Sequence, residues 1–209
     1  MKINPLIRKR KSPTQPRAQA TVDAIMEATA QLLERDGEAS TNRIARRAGV
    51  SIGTIYQYFP NGAAIVGAIA ERERAKVGEA LKAALSELDP ERPQDAIRQA
   101  LRTLLGAFRK RQKLRRTILL TLMPHYSRAF EGRLMDELSA EMIAIFNDRM
   151  DGRIRPLDET GGFVLSRAIL GAVRSAVLED SRDLTDPRFE DELVRLTTAF
   201  LFADDIAAG

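Results

Sequence analysis

Residues Ser40–Phe59 read STNRIARRAGVSIGTIYQYF, and the glycine in their middle decides the architecture. Ile44, Ala45 and Ala48 have the spacing that puts side chains on one face of a short helix, with Arg43, Arg46 and Arg47 outward. Ser40 or Thr41 can cap its start, since a hydroxyl accepts orphan backbone N–H groups. Gly49 permits a sharp left-handed turn, because it lacks the Cβ that penalises that conformation, and Val50 packs beneath it. Ser51 then caps a second helix, Ile52 to about Tyr58, whose inward residues are Ile55 and Phe59. Pro60 cannot continue that helix, and Asn61 caps the next one. Two short helices joined in this way form a helix-turn-helix, built to lay its second helix in the major groove of double-stranded DNA.

Outward from this stretch, the flanks read as its supports. Arg17–Asp36 carries Val22, Ile25, Met26, Leu32 and Leu33 at helical spacing, and Gly37 stops the helix. Residues 1–16 hold Lys2, Arg8, Lys9, Arg10 and Lys11 with three prolines and no acid, a flexible basic arm. Such an arm can track phosphates or enter a minor groove, or it is a solvated terminus. Charge is uneven along the chain. Residues 1–62 hold 10 Lys/Arg against 5 Asp/Glu, whereas the remaining 147 residues hold 23 against 24. A basic excess confined to the N-terminal third is the footprint of a phosphate-binding module, or a solubilising bias.

Downstream, a long helix runs from Ala63 towards Leu88, with Glu71, Arg72, Glu73 and Arg74 solvated. Pro90 and Pro93 break it. A further helix covers Gln94 to about Arg111, with Ile97, Leu101, Leu104, Leu105 and Phe108 spaced for burial. The basic run Arg109, Lys110, Arg111, Lys113, Arg115 and Arg116 reads as a solvated helix end. Leu114–Met123 is a short apolar helix ended by Pro124, and Ser127–Met150 is another helix. Gly161–Leu178 is small and apolar, with Ala168, Gly171, Ala172, Ser175 and Ala176 allowing close helix approach. Leu193, Leu196, Phe200 and Leu201 mark the last helix. The pattern predicts an all-α fold of about nine helices: a three-helix DNA-binding domain and a helical body.

Composition excludes several classes. The 209 residues contain no cysteine and one histidine, His125, so disulfides, thiol catalysis and cysteine-ligated metals are out. No Gly-rich phosphate loop with its lysine occurs, and no metal, cofactor or catalytic constellation emerges. Apolar runs such as Ile118–Met123 fall far short of the roughly 20 residues of a membrane span, and no apolar segment follows the basic N-terminus as in a secretory signal. A non-enzymatic, cytoplasmic protein without a membrane partner is the expectation.

The run Ile44-Ala45, Ala48-Gly49-Val50-Ser51, Gly53-Thr54-Ile55-Tyr56 and Tyr58-Phe59, preceded by a matching first helix, is specific. Over residues 17–75 it resembles the DNA-binding domain of the TetR family of bacterial transcriptional regulators. Two departures stand out. Gly62 and Ala63 occupy the places of a usual Lys-Glu pair, which removes a lysine that supports a phosphate contact, and Asn42 stands where an arginine or a small polar residue often reaches bases.

The residues divide by chemistry. Thr41, Ser51, Thr54, Tyr56 and Tyr58 carry hydroxyls suited to phosphate oxygens, a role the resemblance implies for Thr54 and Tyr56 in particular. Arg43 is a further phosphate candidate, with Arg46 and Arg47 solvated. Asn42 and Gln57 can bond adenine's edge in two places, and Ile52, beside Gly53 at the exposed start of the helix, can meet a thymine methyl. For Tyr58 and Ile52 the alternative is packing within the domain.

Residues 76–209 resemble the family's effector-binding and dimerisation domain by general pattern only. That implies a homodimer through the last two helices, about Glu159–Asp180 and Asp186–Ala203, the alternative being an internal core. It also implies a small, largely apolar effector. Phe108, Leu119, Met123, His125, Tyr126, Phe130, Met142 and Phe146 are the candidates to contact it, or they are core. The whole implies a repressor that binds a palindromic operator as a homodimer and is released by an effector. The alternative is a ligand-binding or protein-interaction dimer with no operator role.

Overall fold

The structure is a computed structural model, and it describes residues 15–87, 89–123, 140–150 and 155–202. The described residues are helical throughout, with no strand. Their helices are α1 (Pro16–Asp36), α2 (Thr41–Ala48), α3 (Ile52–Tyr58), α4 (Gly62–Ser86), α5 (Pro93–Arg109) and α6 (Gln112–Leu122). Then come α7 (residues 140–149), α8 (Glu159–Leu178), a 3-10 turn (Arg182–Thr185) and α9 (Pro187–Phe202). The all-α expectation holds. His125, Tyr126, Phe130 and the arm up to residue 14 lie outside the described residues.

The chain forms two compact units, Met1–Ala75 with Arg111–Phe130, and Lys76–Lys110 with Glu131–Gly209. The first is built on α1. Its Val22, Ile25, Met26, Leu32 and Leu33 pack with Ile44 and Ala45 of α2, Ile55 and Phe59 around α3, and Ile65 and Ile69 of α4. Each of these side chains larger than alanine contributes roughly 1.5–3 kcal/mol by leaving water. α6 completes this core with Leu114, Ile118 and Leu122, one stripe at four-residue spacing. The sequence alone places a boundary near residue 75; the first unit takes in α6 as well. Gly37 closes α1 at φ +80°, and Lys113 Nζ donates to the Arg35 carbonyl (2.7 Å), a cation where the helix dipole is negative.

Two charge assignments made from the sequence are corrected here. Glu73 is not solvated but 4% exposed, because α6 packs over that side of α4. A buried carboxylate needs partners, and it has them: Arg111 donates to it at 3.2 Å and Arg115 lies at 3.6 Å. Arg111 also reaches Glu34 of α1 at 2.8 Å. Burial lowers the affinity of the Arg115 guanidinium for its proton, and the Glu73 charge opposes that shift. The basic run is therefore not a solvated helix end. Arg111, Lys113 and Arg115 fasten α6 to α1 and α4.

In the second unit α5, α8 and α9 pack against one another. Ile97, Leu101, Leu104 and Leu105 are the buried side of α5, Val173, Ala176 and Val177 that of α8, and Leu193, Val194 and Leu201 that of α9. Buried Glu190 of α9 accepts from Arg102 (2.7 Å) and Arg98 (3.3 Å), and Arg98 also holds Asp191 (2.6 Å). Arg109 donates to the Leu184 carbonyl (2.5 Å). The predicted stripe of α9 splits: Leu193 and Leu201 face inward, whereas Leu196 is 45% exposed. Phe163 and Val164 of α8 are exposed too, with the Arg167 guanidinium stacked 4.5 Å above the Phe163 ring. α8 is the one described helix long and apolar enough to cross a membrane. It carries Arg167 and Arg174, and its apolar surplus lies on this uncovered side.

Candidate nucleic-acid interface

α2 and α3 are short, and each end has a visible cause. Ser40 stands at the N-cap of α2 in extended conformation, but its side chain makes no capping bond, contrary to the sequence expectation. Gly49 closes α2 at φ +68° and donates its N–H to the Ala45 carbonyl. Ser51 caps α3 as its position predicts, Oγ accepting from the Thr54 N–H at 3.0 Å. α3 ends at Phe59, whose ring is fully buried, and Asn61 caps α4 by accepting from the Ala64 N–H at 2.8 Å.

With Ile55 and Phe59 anchored in the core, the rest of α3 is determined by the helical repeat. Ile52 (42% exposed), Gly53, Tyr56 (45%) and Gln57 lie at i, i+1, i+4 and i+5, which is one face, and all four are exposed. Exposed isoleucine and tyrosine one turn apart on a seven-residue helix leave an apolar and aromatic surface beside one amide. Tyr58 is half-buried and packs against the core. Gly53 is informative in another way. A Cβ there would meet nothing closer than Ser51 Oγ at 3.6 Å, so the fold leaves room for a side chain. Glycine in a helix costs about 1 kcal/mol relative to alanine, and no steric contact among the described residues calls for it.

Ser51 and Thr54 form a hydroxyl pair, Oγ to Oγ1, at 2.8 Å. Two hydroxyls carry two protons, and their mutual bond uses one. The other remains available to donate to a phosphate oxygen. Thr41 at the first position of α2 is half-buried and Asn42 is exposed. Arg43 is differently placed from the expectation of an available cation: its guanidinium binds Asp36 and lies 3.9 Å from Glu38. Asp36 is held well below the usual carboxylate range, first by its hydrogen bond from Arg35 and then by that from Arg43. Arg47 donates to the side-chain carbonyl of Gln31 at 2.7 Å. Arg46 is exposed and has no side-chain partner among the described residues. Spacing alone does not single out Arg46, since Arg43 and Arg47 stand at the same i, i+4 relation as Asn42 and Arg46.

The candidates for effector contact divide between the units. Leu119 (half-buried) and Met123 (exposed) belong to the first, while Phe108 and Met142 (half-buried) and Phe146 (buried) belong to the second.

Comparison with known proteins bears on the same stretch. Residues 25–69 match the family model of bacterial regulatory proteins, tetR family. No curated protein sequence matches the chain. Among solved structures, a protein of Mesorhizobium loti MAFF303099 described as a TetR-family transcriptional regulator is similar at 21% identity. The match covers 89% of this chain and 95% of that one, with a TM-score of 0.67. A TetR transcriptional regulator from Rhodococcus sp. RHA1 is 19% identical over 92% of this chain and 100% of its own, with a TM-score of 0.59. The TetR-family regulator PfmR from Thermus thermophilus is 21% identical over 86% and 98%, with a TM-score of 0.59. Over residues 25–69 the chain thus carries the helix-turn-helix of the bacterial regulatory proteins of the tetR family, and its described residues share the all-helical fold of these solved regulators.

Proposed function

We propose that this chain is a DNA-binding transcriptional regulator, a homodimeric repressor that reads a palindromic operator through α3 and is released by a small, largely apolar effector. The observation that carries the reading is the exposed face of Ile52, Gly53, Tyr56 and Gln57, flanked by the Ser51–Thr54 hydroxyl pair. Gln57 and Asn42 would address base edges, Ile52 a thymine methyl, and Thr41, Thr54 and Tyr56 phosphate oxygens. Two such helices in successive major grooves lie roughly 34–36 Å apart.

The dimer reading is supported by the uncovered apolar residues of α8 and α9, Phe163, Val164, Leu196 and Phe202, which suit a four-helix contact with a twin. Phe108, Met142 and Phe146 are the effector contacts proposed within the second unit. An effector bound there would weaken operator binding by a coupling of order 1–3 kcal/mol. Residence in the cytoplasm follows from this role.

Mobility shift with genomic fragments at two salt concentrations tests the proposal. One or a few fragments should be retained at moderate salt when bulk DNA is released. Uniform release of every fragment would favour a ligand-binding or protein-interaction dimer instead.

A further inference from the structure

We infer that Arg46 is the α2 cation that grips the DNA backbone, although neither the sequence pattern nor the family signature singles it out. α2 carries three arginines, and the structure sorts them. Arg43 and Arg47, one turn apart, share a stripe turned to α1, where Asp36 and Gln31 bind them. Gln31 is itself tethered, donating to Glu27 at 3.0 Å. Arg46 lies about 100° round the helix from Arg47, on the stripe of Asn42.

The difference is one of charge as well as direction. A guanidinium already bonded to a carboxylate or an amide must give up that partner to reach a phosphate. A hydrated guanidinium without a partner gives up only water and counterions, and counterion release is the main source of backbone affinity. In the described part of the first unit, Arg35, Arg43, Arg72, Arg111 and Arg115 all sit beside carboxylates. Lys113 is bound to a carbonyl. The inference rests on the DNA-binding assignment of the helix-turn-helix.

The test is fluorescence anisotropy of the full chain on a labelled mixed-sequence 30-base-pair duplex between 50 and 200 mM salt. Wild type, Arg46→Gln, Arg46→Lys and Arg47→Gln are compared, and circular dichroism melts check folding. Arg46→Gln should melt like wild type and lower the slope of log affinity against log salt by about 0.9 for each phosphate that it no longer neutralises. Its affinity deficit should therefore shrink about threefold per phosphate as salt rises across that range. Arg46→Lys should keep the wild-type slope, and so should Arg47→Gln. An unchanged slope in Arg46→Gln, an equal fall in Arg47→Gln, or unfolding of Arg46→Gln overturns the inference while leaving DNA binding standing. Failure of the wild type to bind the duplex at 50 mM salt overturns both.

Discussion

Replacing Glu73 with glutamine takes the negative charge out of a side chain of nearly the same shape, 4% exposed between α4 and α6. Arg111, 3.2 Å away, keeps Glu34 at 2.8 Å and is partly hydrated, so its loss is small. Arg115, 3.6 Å away with a side chain only 12% exposed, loses a carboxylate that offsets its burial. Removing one partner of a buried ion pair costs about 3–5 kcal/mol. Glutamine keeps an acceptor and the volume, which puts the expected loss at or just below the lower end of that range, about 2–3 kcal/mol. With a urea slope of about 2–3 kcal/mol/M for a chain of this size, the unfolding midpoint should fall by about 1 M. The assay is urea titration followed by helical circular dichroism at one fixed protein concentration, because association shifts apparent stability. Glu34→Gln is the control. Its carboxylate is 36% exposed, and an exposed pair is worth under about 1 kcal/mol. If both variants shift the midpoint alike, or Glu73→Gln moves it by less than about 0.2 M, the cluster is not what fastens α6 to the first unit.

Four further outcomes follow from the same geometry. Gly53→Ala should leave stability unchanged or raise it by up to about 1 kcal/mol while weakening DNA binding at least severalfold; Gly49→Ala, which must hold φ +68° in open space, should lower stability by about 1–2 kcal/mol. Both are read by paired melts and anisotropy. Gln57→Ala should narrow the ratio of operator to random-DNA affinity, by about 1–3 kcal/mol if its bond to a base is bidentate, whereas Thr54→Ala should weaken both DNAs alike; equal losses for both variants would remove the distinction drawn between them. Asp36 is depressed in the folded state, so its contribution is present above the unfolded value near 3.9 and is lost as pH falls through the folded one. Urea midpoints between pH 4 and 2 should accordingly fall more steeply for the wild type than for Asp36→Asn. Leu196→Glu should raise the dimer dissociation constant at least tenfold in sedimentation equilibrium, because it places a charge on the uncovered side of α9; an unchanged constant would move the interface elsewhere.

Much of this was legible from residue spacing. Val22, Ile25 and Met26, then Ile44 with Ala45, then Ile55 with Phe59 announce their own burial, because helical period and side-chain type agree. The two turns were readable because glycine alone takes φ +80° and +68° without strain. Ser51 and Asn61 were readable as caps for the same local reason. What spacing could not reveal depends on which helices meet. The acidic and basic residues 71–74 look uniformly solvated until α6 packs across Glu73. Likewise Arg43 looks the better phosphate candidate of the three α2 arginines until Asp36 and Gln31 of α1 are seen to bind Arg43 and Arg47. α6 could not be assigned to the first unit from sequence either, since Leu114, Ile118 and Leu122 would serve any apolar neighbour. The effector contacts are the least legible, because apolar residues that line a cavity and those that fill a core are chemically the same.

The role given to α3 stands or falls on whether the full chain selects a DNA sequence. Repeated selection from a random 30-base-pair duplex pool at about 150 mM salt, followed by sequencing, reads this out whatever the operator turns out to be. An inverted repeat should emerge, with half-site centres about one helical turn, or a multiple of it, apart, and Gln57→Ala should lose part of that preference. A pool that stays random after several rounds, with the wild type folded and binding only at low salt, would contradict the assignment of α3 as a reader of sequence.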